Sequence, residues 1–101
     1  MKIENMTSLF GKKVANQFII HDVRISYISK TGEKVTSGDG YMFQSYNTGI
    51  AFKCQGKVFL DKKYWDFSKT TGKYQNRFLG EKRSETLENI KSGKYQFANL
   101  N

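Results

Sequence analysis

Lysines, arginines and aromatic residues are interleaved in one stretch of this sequence, and their pattern indicates binding rather than catalysis. Residues 53–83 contain nine lysines and arginines against three acidic residues, so about +6 of the net charge of +8 lies in this stretch. Six aromatic residues are interleaved with these cations. Lysine and arginine neutralise phosphates and aromatic rings stack on bases, so the pattern is typical of proteins that bind single-stranded nucleic acid or RNA.

Nine side chains of this stretch are the predicted contacts to an anionic partner. The cations among them are expected to contact phosphates, and Tyr64 and Tyr74 are expected to stack on bases. Trp65 is a weaker stacking candidate, because on a strand it shares an inward face with Phe67. The alternative is that the aromatic rings form the core and the lysines only solvate the outer face. The predicted contacts are Lys62, Lys63, Tyr64, Lys69, Lys73, Tyr74, Arg77, Lys82 and Arg83.

Residues that serve as catalysts or metal ligands are too sparse to predict an enzyme. His21 is the only histidine, and Asp22 beside it points to the other face of a strand unless a bulge intervenes. Cys54 alternates with apolar residues on one strand face, which indicates a buried thiol. The glycines within residues 37–40 lack the lysine of a P-loop and the third glycine of a dinucleotide fingerprint. We therefore predict no catalytic residue, no cofactor and no metal site.

Length and composition predict one small domain over residues 1–101. The chain has 101 residues, of which 38% are hydrophobic, and no proline, which suffices for a single core but not for two. Its 17 basic residues against 9 acidic ones favour an anionic partner. One cysteine cannot form an internal disulfide, and the N-terminal residues lack the apolar run of a signal peptide. A cytoplasmic protein of a bacterial host cell is expected, with no membrane partner and with its oligomeric state left open.

The elements that must position these side chains are predicted to be short β-strands. Residues 23–27 alternate between apolar and polar, whereas the residues upstream have the opposite phase, which predicts a β-bulge or bend at residues 21–22. Turn segments rich in glycine separate the next runs. Gly72 is expected to take a positive φ in a hairpin loop. Strands are expected at residues 16–29, 41–46, 50–54, 57–60, 64–68 and 73–79.

One C-terminal helix completes the predicted fold. Leu87 and Ile90 stand three residues apart, which predicts a helix over residues 85–92 that packs through these two side chains. The tail at 94–100 alternates again and is expected to return as an edge strand. Residues 1–15 have no sustained period and are expected to form a lead-in segment or a short helical turn. The predicted class is α+β and β-rich: an antiparallel, curved sheet or partial barrel of about six short strands with one C-terminal helix.

Several short motifs in the C-terminal part of the chain resemble those of known sequences. They are WDFSKTTGKY at 65–74, FLGE at 78–81, KRSET at 82–86 and IKSGKY at 90–95. Together, over residues 64–101, they resemble small uncharacterised proteins carried by phages and plasmids of Gram-positive bacteria. That resemblance implies an accessory protein of a mobile genetic element and assigns no residue or activity. In outline the same stretch is similar to the N-terminal three-stranded DNA-binding domain of phage-type integrases, in which the first half of this chain has no counterpart.

Three kinds of function fit these observations. The first is a non-enzymatic, small basic binding protein of a mobile genetic element, which engages nucleic acid or a nucleoprotein with an affinity that falls steeply with salt. The alternative is an inhibitor of a host defence system, such as an anti-CRISPR protein acting on a Cas9-type nuclease or its guide RNA. The net positive charge argues against an inhibitor that mimics DNA with an acidic surface. The third is an assembly protein whose edge strands pair with a partner.

Overall fold

A mixed β-sheet with two helices is the framework of the fold, and the computed structural model describes residues 2–101. No helix within those residues is long and apolar enough to cross a membrane. The elements in chain order are β1 (Lys2–Thr7), β2 (Lys13–Val23), β3 (Ser26–Ile28), β4 (Lys34–Thr36), β5 (Gly40–Ser45), β6 (Thr48–Cys54), β7 (Lys57–Asp61), α1 (Lys69–Leu79), α2 (Arg83–Lys91) and β8 (Gln96–Ala98).

Six of the strands form one open sheet in the order β1-β2-β5-β6-β7-β8, and β3 and β4 pair separately as a hairpin. Neighbouring strands from β1 to β7 are antiparallel, whereas β8 runs parallel to β7. The β-rich α+β class is therefore confirmed. The expected partial barrel does not form, because β1 and β8 lie at opposite edges of the sheet, and the sheet is mixed rather than purely antiparallel.

The predicted hairpin at residues 64–79 is wrong, because most of this stretch forms α1. Ser68 caps the helix: its side-chain oxygen accepts a hydrogen bond from the backbone N–H of Thr71. At the other end Gly80 adopts a left-handed conformation with φ of 71° and donates its N–H to Asn76. Gly72 lies inside the helix rather than in a loop with positive φ. The buried positions recur at helical spacing, at Thr71, Tyr74, Gln75 and Phe78.

The elements at the two ends of the chain were predicted with mixed success. The C-terminal helix is confirmed as α2 and packs through Ile90, but Leu87 is 43% exposed, so its predicted role in the packing is wrong. The returning edge strand is confirmed as β8. Residues 1–15 contain β1 and the start of β2 instead of a lead-in segment. In β1 the exposed Ile3 and the buried Met6 stand three residues apart, so the strand has no alternating pattern to detect.

Both faces of the central strands are buried, each in its own apolar cluster. The helix-side core joins the sheet to α1 and α2, and the hairpin-side core joins it to the segment around β3. Side chains on β5, β6 and β7 alternate between the two clusters because strand side chains alternate in direction. The exception is the pair Ile50 and Ala51, which both lie on the helix side, next to a register shift between β5 and β6. The buried members are Met6, Phe43, Ile50, Ala51, Leu60, Tyr74 and Phe78 on the helix side, and Ile25, Met42, Phe52, Cys54, Phe59 and Ala98 on the hairpin side.

A buried carboxylate ties the C-terminal tail to the sheet. Asp61, at the end of β7, accepts hydrogen bonds from the backbone N–H groups of Lys63 and Tyr64. Its other oxygen accepts from the backbone N–H of Leu100 and the side-chain amide of Asn101. Since a buried charge is stable only with such partners, these bonds fix both the turn after β7 and the position of the tail.

Candidate functional site

Three cations lie in a row along one face of α1. Lys69, Lys73 and Arg77 follow one another at intervals of four residues, which places them on one side of a helix at a rise of about 6 Å per step. All three are exposed, and within residues 2–101 none of them takes part in an ion pair. The ring of Tyr74 lies 5.5 Å from the Lys73 amine and 5.8 Å from the Arg77 guanidinium carbon. We call these three residues the basic row.

Lys69 and Lys73 of the basic row line a groove of about 620 Å³. It lies between α1, the segment before it and the first turns of α2. A volume of this size falls within the range of small-molecule sites. The residues that line it are Trp65, Asp66, Ser68, Lys69, Gly72, Lys73, Gln75, Asn76, Arg83 and Thr86.

One wall of the groove combines an aromatic ring with a fixed guanidinium group. Arg83 donates two hydrogen bonds to Asp66, at 2.6 and 3.0 Å, and lies over the ring of Trp65 at 5.8 Å. The hydrogen bonds from Arg83 hold the pKa of the Asp66 carboxyl below its ordinary value. Behind Trp65, the ring of Phe97 packs at a centroid distance of 6.0 Å. We call Trp65, Asp66 and Arg83 the stacking wall.

Two residues of α1 that line the groove, Gln75 and Gly72, lower the stability of the unliganded protein. Gln75 is 3% exposed, and its side-chain oxygen has no hydrogen-bond partner within residues 2–101, a condition that costs about 1–3 kcal/mol. Gly72 occupies a helix interior, at a cost of up to about 1 kcal/mol relative to alanine. A Cβ atom built on Gly72 would meet nothing within 4 Å, so packing within the chain does not require glycine there. The other unpartnered amide oxygen belongs to Gln17, which does not line the groove.

A hydrogen-bonded carboxylate fixes the junction between the two helices. Glu81 accepts hydrogen bonds from the hydroxyl of Thr86 at 2.6 Å, from the amide of Asn89 at 3.2 Å and from the hydroxyl of Tyr95. Burial and the contact with Glu81 raise the pKa of Tyr95 to about 12. Because Thr86 also lines the groove, this network holds the α2 side of the groove in place.

The predicted contact residues fall into groups that the structure separates. Lys69, Lys73 and Arg83 surround the groove, and Arg77 extends the basic row toward β1, where it donates a hydrogen bond to the carbonyl of Thr7. The remaining cations are exposed at the edges of this region: Lys62 and Lys63 lie in the turn after β7, and Lys82 precedes α2.

The expectation that Tyr74 is an exposed stacking residue is wrong. Tyr74 is 7% exposed and belongs to the helix-side core, because in a helix it points to the sheet rather than to solvent. Tyr64 is half-buried against the same core, with its ring 6.0 Å from that of Phe67. Trp65, the weaker candidate in the sequence, is instead the aromatic residue that lines the groove.

Lys53, the first cation of the basic stretch, has a structural role. Its amine donates a 2.6 Å hydrogen bond to the carbonyl of Phe78 and lies 4.4 Å from the centre of that ring. A cation at this position stabilises the negative C-terminal end of α1. Burial lowers the pKa of Lys53.

The other side chains considered for chemistry lie apart from the groove. His21 contacts the Glu4 carboxylate at 2.8 Å. The predicted bulge beside it is confirmed by a register shift between Ile20 and Val23. The Cys54 thiol is buried, as predicted, and donates to the carbonyl of Asp39. Within residues 2–101 no group of three or more His, Cys, Asp or Glu side chains is placed to hold a metal ion.

Gly72 and Gln75 are two of the groove residues that sequence reasoning missed, and Asp66, Ser68, Asn76 and Thr86 are the others that had no predicted role. Gly72 and Gln75 were assigned to a hairpin, in which they would not share a surface. The sequence did contain signals for both ends of a helix, because Ser68 is a typical N-terminal capping residue and Gly80 a typical C-terminal one. Those signals would have aligned the basic row on a helix, but they would not have shown that Gln75 lacks a partner.

Comparison with known proteins places the chain in a family without assigning a function. A family model described as a family of unknown function (DUF8033) matches residues 1–96, so the chain belongs to this family. The match includes both helices and all the residues of the groove. No curated protein matches the chain, and no solved structure does.

Proposed function

We propose that this member of a family of unknown function is a small, non-enzymatic protein that binds nucleic acid through the exposed face of α1. The observation that carries the proposal is the basic row, three exposed cations that form no ion pair within residues 2–101. Lys69 and Lys73 line a groove with an aromatic wall, and Arg77 continues the row beyond it. On the resemblance of residues 64–101 alone, we further propose that it acts as an accessory protein of a mobile genetic element.

The electrostatics of α1 favour a phosphate backbone as the partner. The first turn of the helix contains no acidic residue, so Lys69 adds to the positive end of the helix dipole rather than opposing it. The net charge of +8 provides long-range attraction to the same kind of partner. Lys62, Lys63 and Lys82 are proposed to contribute to this attraction from the edges of the region, while the basic row makes the phosphate contacts.

The arrangement also supplies contacts that a purely electrostatic surface lacks. The stacking wall offers an indole ring and a guanidinium plane, both of which stack on bases. Arg83 is held in place by Asp66, so its orientation is fixed before a ligand arrives. A nucleic acid with accessible bases fits this combination better than an acidic protein surface, because each of its nucleotides offers a phosphate and a flat ring together.

The test is to remove the basic row and compare the loss with that from an equal charge removed elsewhere. A Lys69→Ala, Lys73→Ala, Arg77→Ala triple variant is expected to keep its helix, because alanine favours helix formation. Its affinity for a fluorescein-labelled 20-nucleotide strand is expected to fall about 100- to 1,000-fold at 0.1 M salt, and the slope of log affinity against log salt to become shallower by about 2 to 3. Fluorescence anisotropy titrations between 50 and 300 mM salt measure both quantities.

The matched control removes three exposed lysines from other parts of the surface. Lys30, Lys34 and Lys57 belong to the β3–β4 hairpin and the start of β7. Their joint replacement by alanine is expected to weaken binding much less than the basic-row variant does. Equal losses in the two triple variants would show a diffuse attraction without a site. If the wild-type protein binds no nucleic acid, the proposal is wrong, and a protein partner such as a host defence component becomes the better hypothesis.

A further inference from the structure

We propose that the groove receives one unpaired nucleotide of the bound strand. Its base lies against the stacking wall, the edge of the base bonds to Gln75, and its phosphates contact Lys69 and Lys73. The inference rests on the proposed function, since it specifies how nucleic acid is bound, and it restricts the preferred partner to strands with accessible bases.

The buried amide of Gln75 is the first observation behind this inference. Its oxygen is an acceptor without a partner in a side chain that is 3% exposed, and the residue lines the groove. A buried polar atom in this state calls for a donor from outside the chain. Because the oxygen has less than 1 Å² of accessible surface, the amide must turn toward the groove for a base to supply that donor. A side-chain amide offers one acceptor and a pair of donors, which matches the donors and acceptors on the edge of a nucleobase.

The interior glycine of α1 is the second observation. Gly72 lies one helical turn from Gln75 and also lines the groove, and the space above it is empty out to 4 Å from a built Cβ. Alanine would favour the helix, and its Cβ would meet nothing within 4 Å. A larger side chain would extend into the groove beside Gln75. Glycine in such a place allows a ligand to approach the helix backbone closely.

The stacking wall and two residues of the basic row supply the remaining contacts, since all of them line the same groove. Trp65 and Arg83 present flat groups for a base, and Lys69 and Lys73 present charges for phosphates. In a duplex each base is paired and stacked, so it must be unpaired and unstacked before it can enter a pocket. A single strand offers its bases without this energetic cost. The groove is therefore expected to distinguish single strands from duplexes.

Trp65 gives a direct optical test, because it is the only tryptophan in the chain. Binding of a 12-nucleotide mixed-sequence DNA strand is expected to quench the Trp65 emission, whereas the blunt duplex of the same sequence is expected to bind without comparable quenching. Anisotropy of a fluorescein label on the same oligonucleotides reports binding independently of the groove.

Two variants separate the groove from the basic row. Gly72→Leu, which fills the groove with a good helix former, is expected to weaken single-strand binding about 10-fold or more and to abolish the quenching. Gln75→Met, which removes the polar edge at similar volume, is expected to weaken it about 3- to 10-fold, as for the loss of one hydrogen-bonded pair. Both are expected to leave duplex binding unchanged. Ser84→Leu is the matched control, because Ser84 is an exposed position of α2 that does not line the groove.

The outcomes distinguish this inference from the proposed function. Single-strand binding detected by anisotropy without quenching of Trp65, or with wild-type affinity in both variants, would overturn the inference and leave the basic row as the binding surface. Equal quenching by strand and duplex would also overturn it. An absence of binding to either oligonucleotide would overturn both proposals together. Circular dichroism and melting curves of the variants exclude unfolding as the cause of a loss.

Discussion

The two faces of the central sheet bury different kinds of side chain. The hairpin-side core is built from Ile25, Met42, Phe52 and Phe59 with the thiol of Cys54, and its members are apolar. The helix side also buries polar groups: the hydroxyls of Ser45 and Thr71 are 3.0 Å apart, and the amides of Gln17 and Gln75 are nearly fully buried. The hairpin-side cluster is therefore apolar, with one buried carboxylate, Asp61, two residues after Phe59 at the end of β7, whereas the helix side includes a polar layer beneath a groove.

Under the proposed function, the hairpin side of the sheet supplies stability and the helix side binds the ligand. A buried amide oxygen without a partner and a glycine inside α1 both reduce stability, and both lie on the groove. A protein tolerates such losses of stability at a functional site when the rest of the fold keeps the free energy of unfolding high enough. We expect the hairpin side to provide that stability, and variants on the two faces should therefore have opposite effects.

The largest expected effect is the loss of stability on the hairpin side. Phe59 is 1% exposed and packs against Tyr27 at a centroid distance of 4.6 Å. Replacing it by alanine removes these contacts and leaves a cavity, so Phe59→Ala is expected to lower the free energy of unfolding by about 3–5 kcal/mol in urea denaturation. Leu9→Ala, at a highly exposed position, is the control and is expected to change it by less than about 0.5 kcal/mol.

The same variant tests whether the two faces are independent. If Phe59→Ala is folded at low temperature, its affinity for single-stranded nucleic acid is expected to match that of the wild type. A selective loss of affinity in a folded protein would show that the hairpin side supports the groove directly. Phe59→Leu retains part of the packing and allows the same comparison if the alanine variant does not fold.

A smaller effect on stability is expected when two glycines are replaced by alanine. Gly40 is tightly packed, whereas Gly72 has open space where a side chain would begin. A Cβ atom on Gly40 would lie 2.5 Å from the carbonyl oxygen of Lys53 and 2.7 Å from the ring of Phe52. Since backbone atoms cannot move aside cheaply, Gly40→Ala is expected to destabilise the protein by about 1–3 kcal/mol. Gly72→Ala on the helix side is expected to stabilise it by about 0.5–1 kcal/mol, because alanine favours the helix and nothing opposes the added methyl group.

Thermal denaturation of both glycine variants in one buffer measures this contrast. Destabilisation by Gly72→Ala would mean that packing, rather than the groove, requires that glycine. A neutral Gly40→Ala would mean that the start of β5 can shift to accommodate a side chain, and the hairpin side would then be less rigid than its contacts indicate.

The smallest effect concerns the pH dependence of the junction between the helices. Burial and Glu81 raise the pKa of Tyr95 from 10 to about 12, so folding favours the neutral phenol. The contribution of this group is therefore complete below pH 10, the pKa of the unfolded state, and is lost as the pH rises toward 12. The difference in unfolding free energy between wild type and Tyr95→Phe is expected to be constant up to pH 10 and to decrease above it.

Comparison with Tyr95→Phe at each pH cancels the titration of the groups that the two proteins share. Absorbance at 295 nm is expected to show a phenol ionisation near pH 12 that is missing in the variant. A constant difference up to pH 12 would contradict the assignment and would indicate that Glu81 is held by Thr86 and Asn89 without help from Tyr95.

The middle of the fold could be predicted because its signals are local. The strands at 41–46, 50–54 and 57–60 show β-branched and aromatic residues between glycine turns, and the structure places β5, β6 and β7 there. The bulge at 21–22 was visible as a change of phase in the same pattern. Signals of this kind depend only on neighbouring residues, so one sequence suffices to read them.

The segment that forms α1 could not be predicted by the same reasoning. Thr70, Thr71 and Gly72 have low helix propensity, and Trp65 and Phe67 imitate the alternation of a strand. The helix is stabilised by its two capping residues and by burial of Tyr74 and Phe78 against the sheet. Burial of this kind is a tertiary effect that overrides local propensity.

For the candidate site, the sequence identified the cations but not the cavity beside them. Lys69, Lys73 and Arg77 are at the same positions in the chain whether they lie on a hairpin or on a helix, so their charge could be assigned from composition. The stacking wall depends on Arg83 meeting Asp66, 17 residues away in the chain. The unpartnered oxygen of Gln75 is likewise defined only by the side chains around it. Neither relation leaves a trace in a single sequence.

The parallel pairing of β7 with β8 is expected to form late in folding. The hairpins from β5 to β7 close loops of a few residues, whereas β8 joins β7 only after the chain has passed through both helices, about 35 residues later. The entropy of closing the longer loop must be overcome before its contacts can form. Phe97 in β8 packs against Trp65, so we expect the ring of Trp65 to gain this support only after the antiparallel strands β5 to β7 have paired.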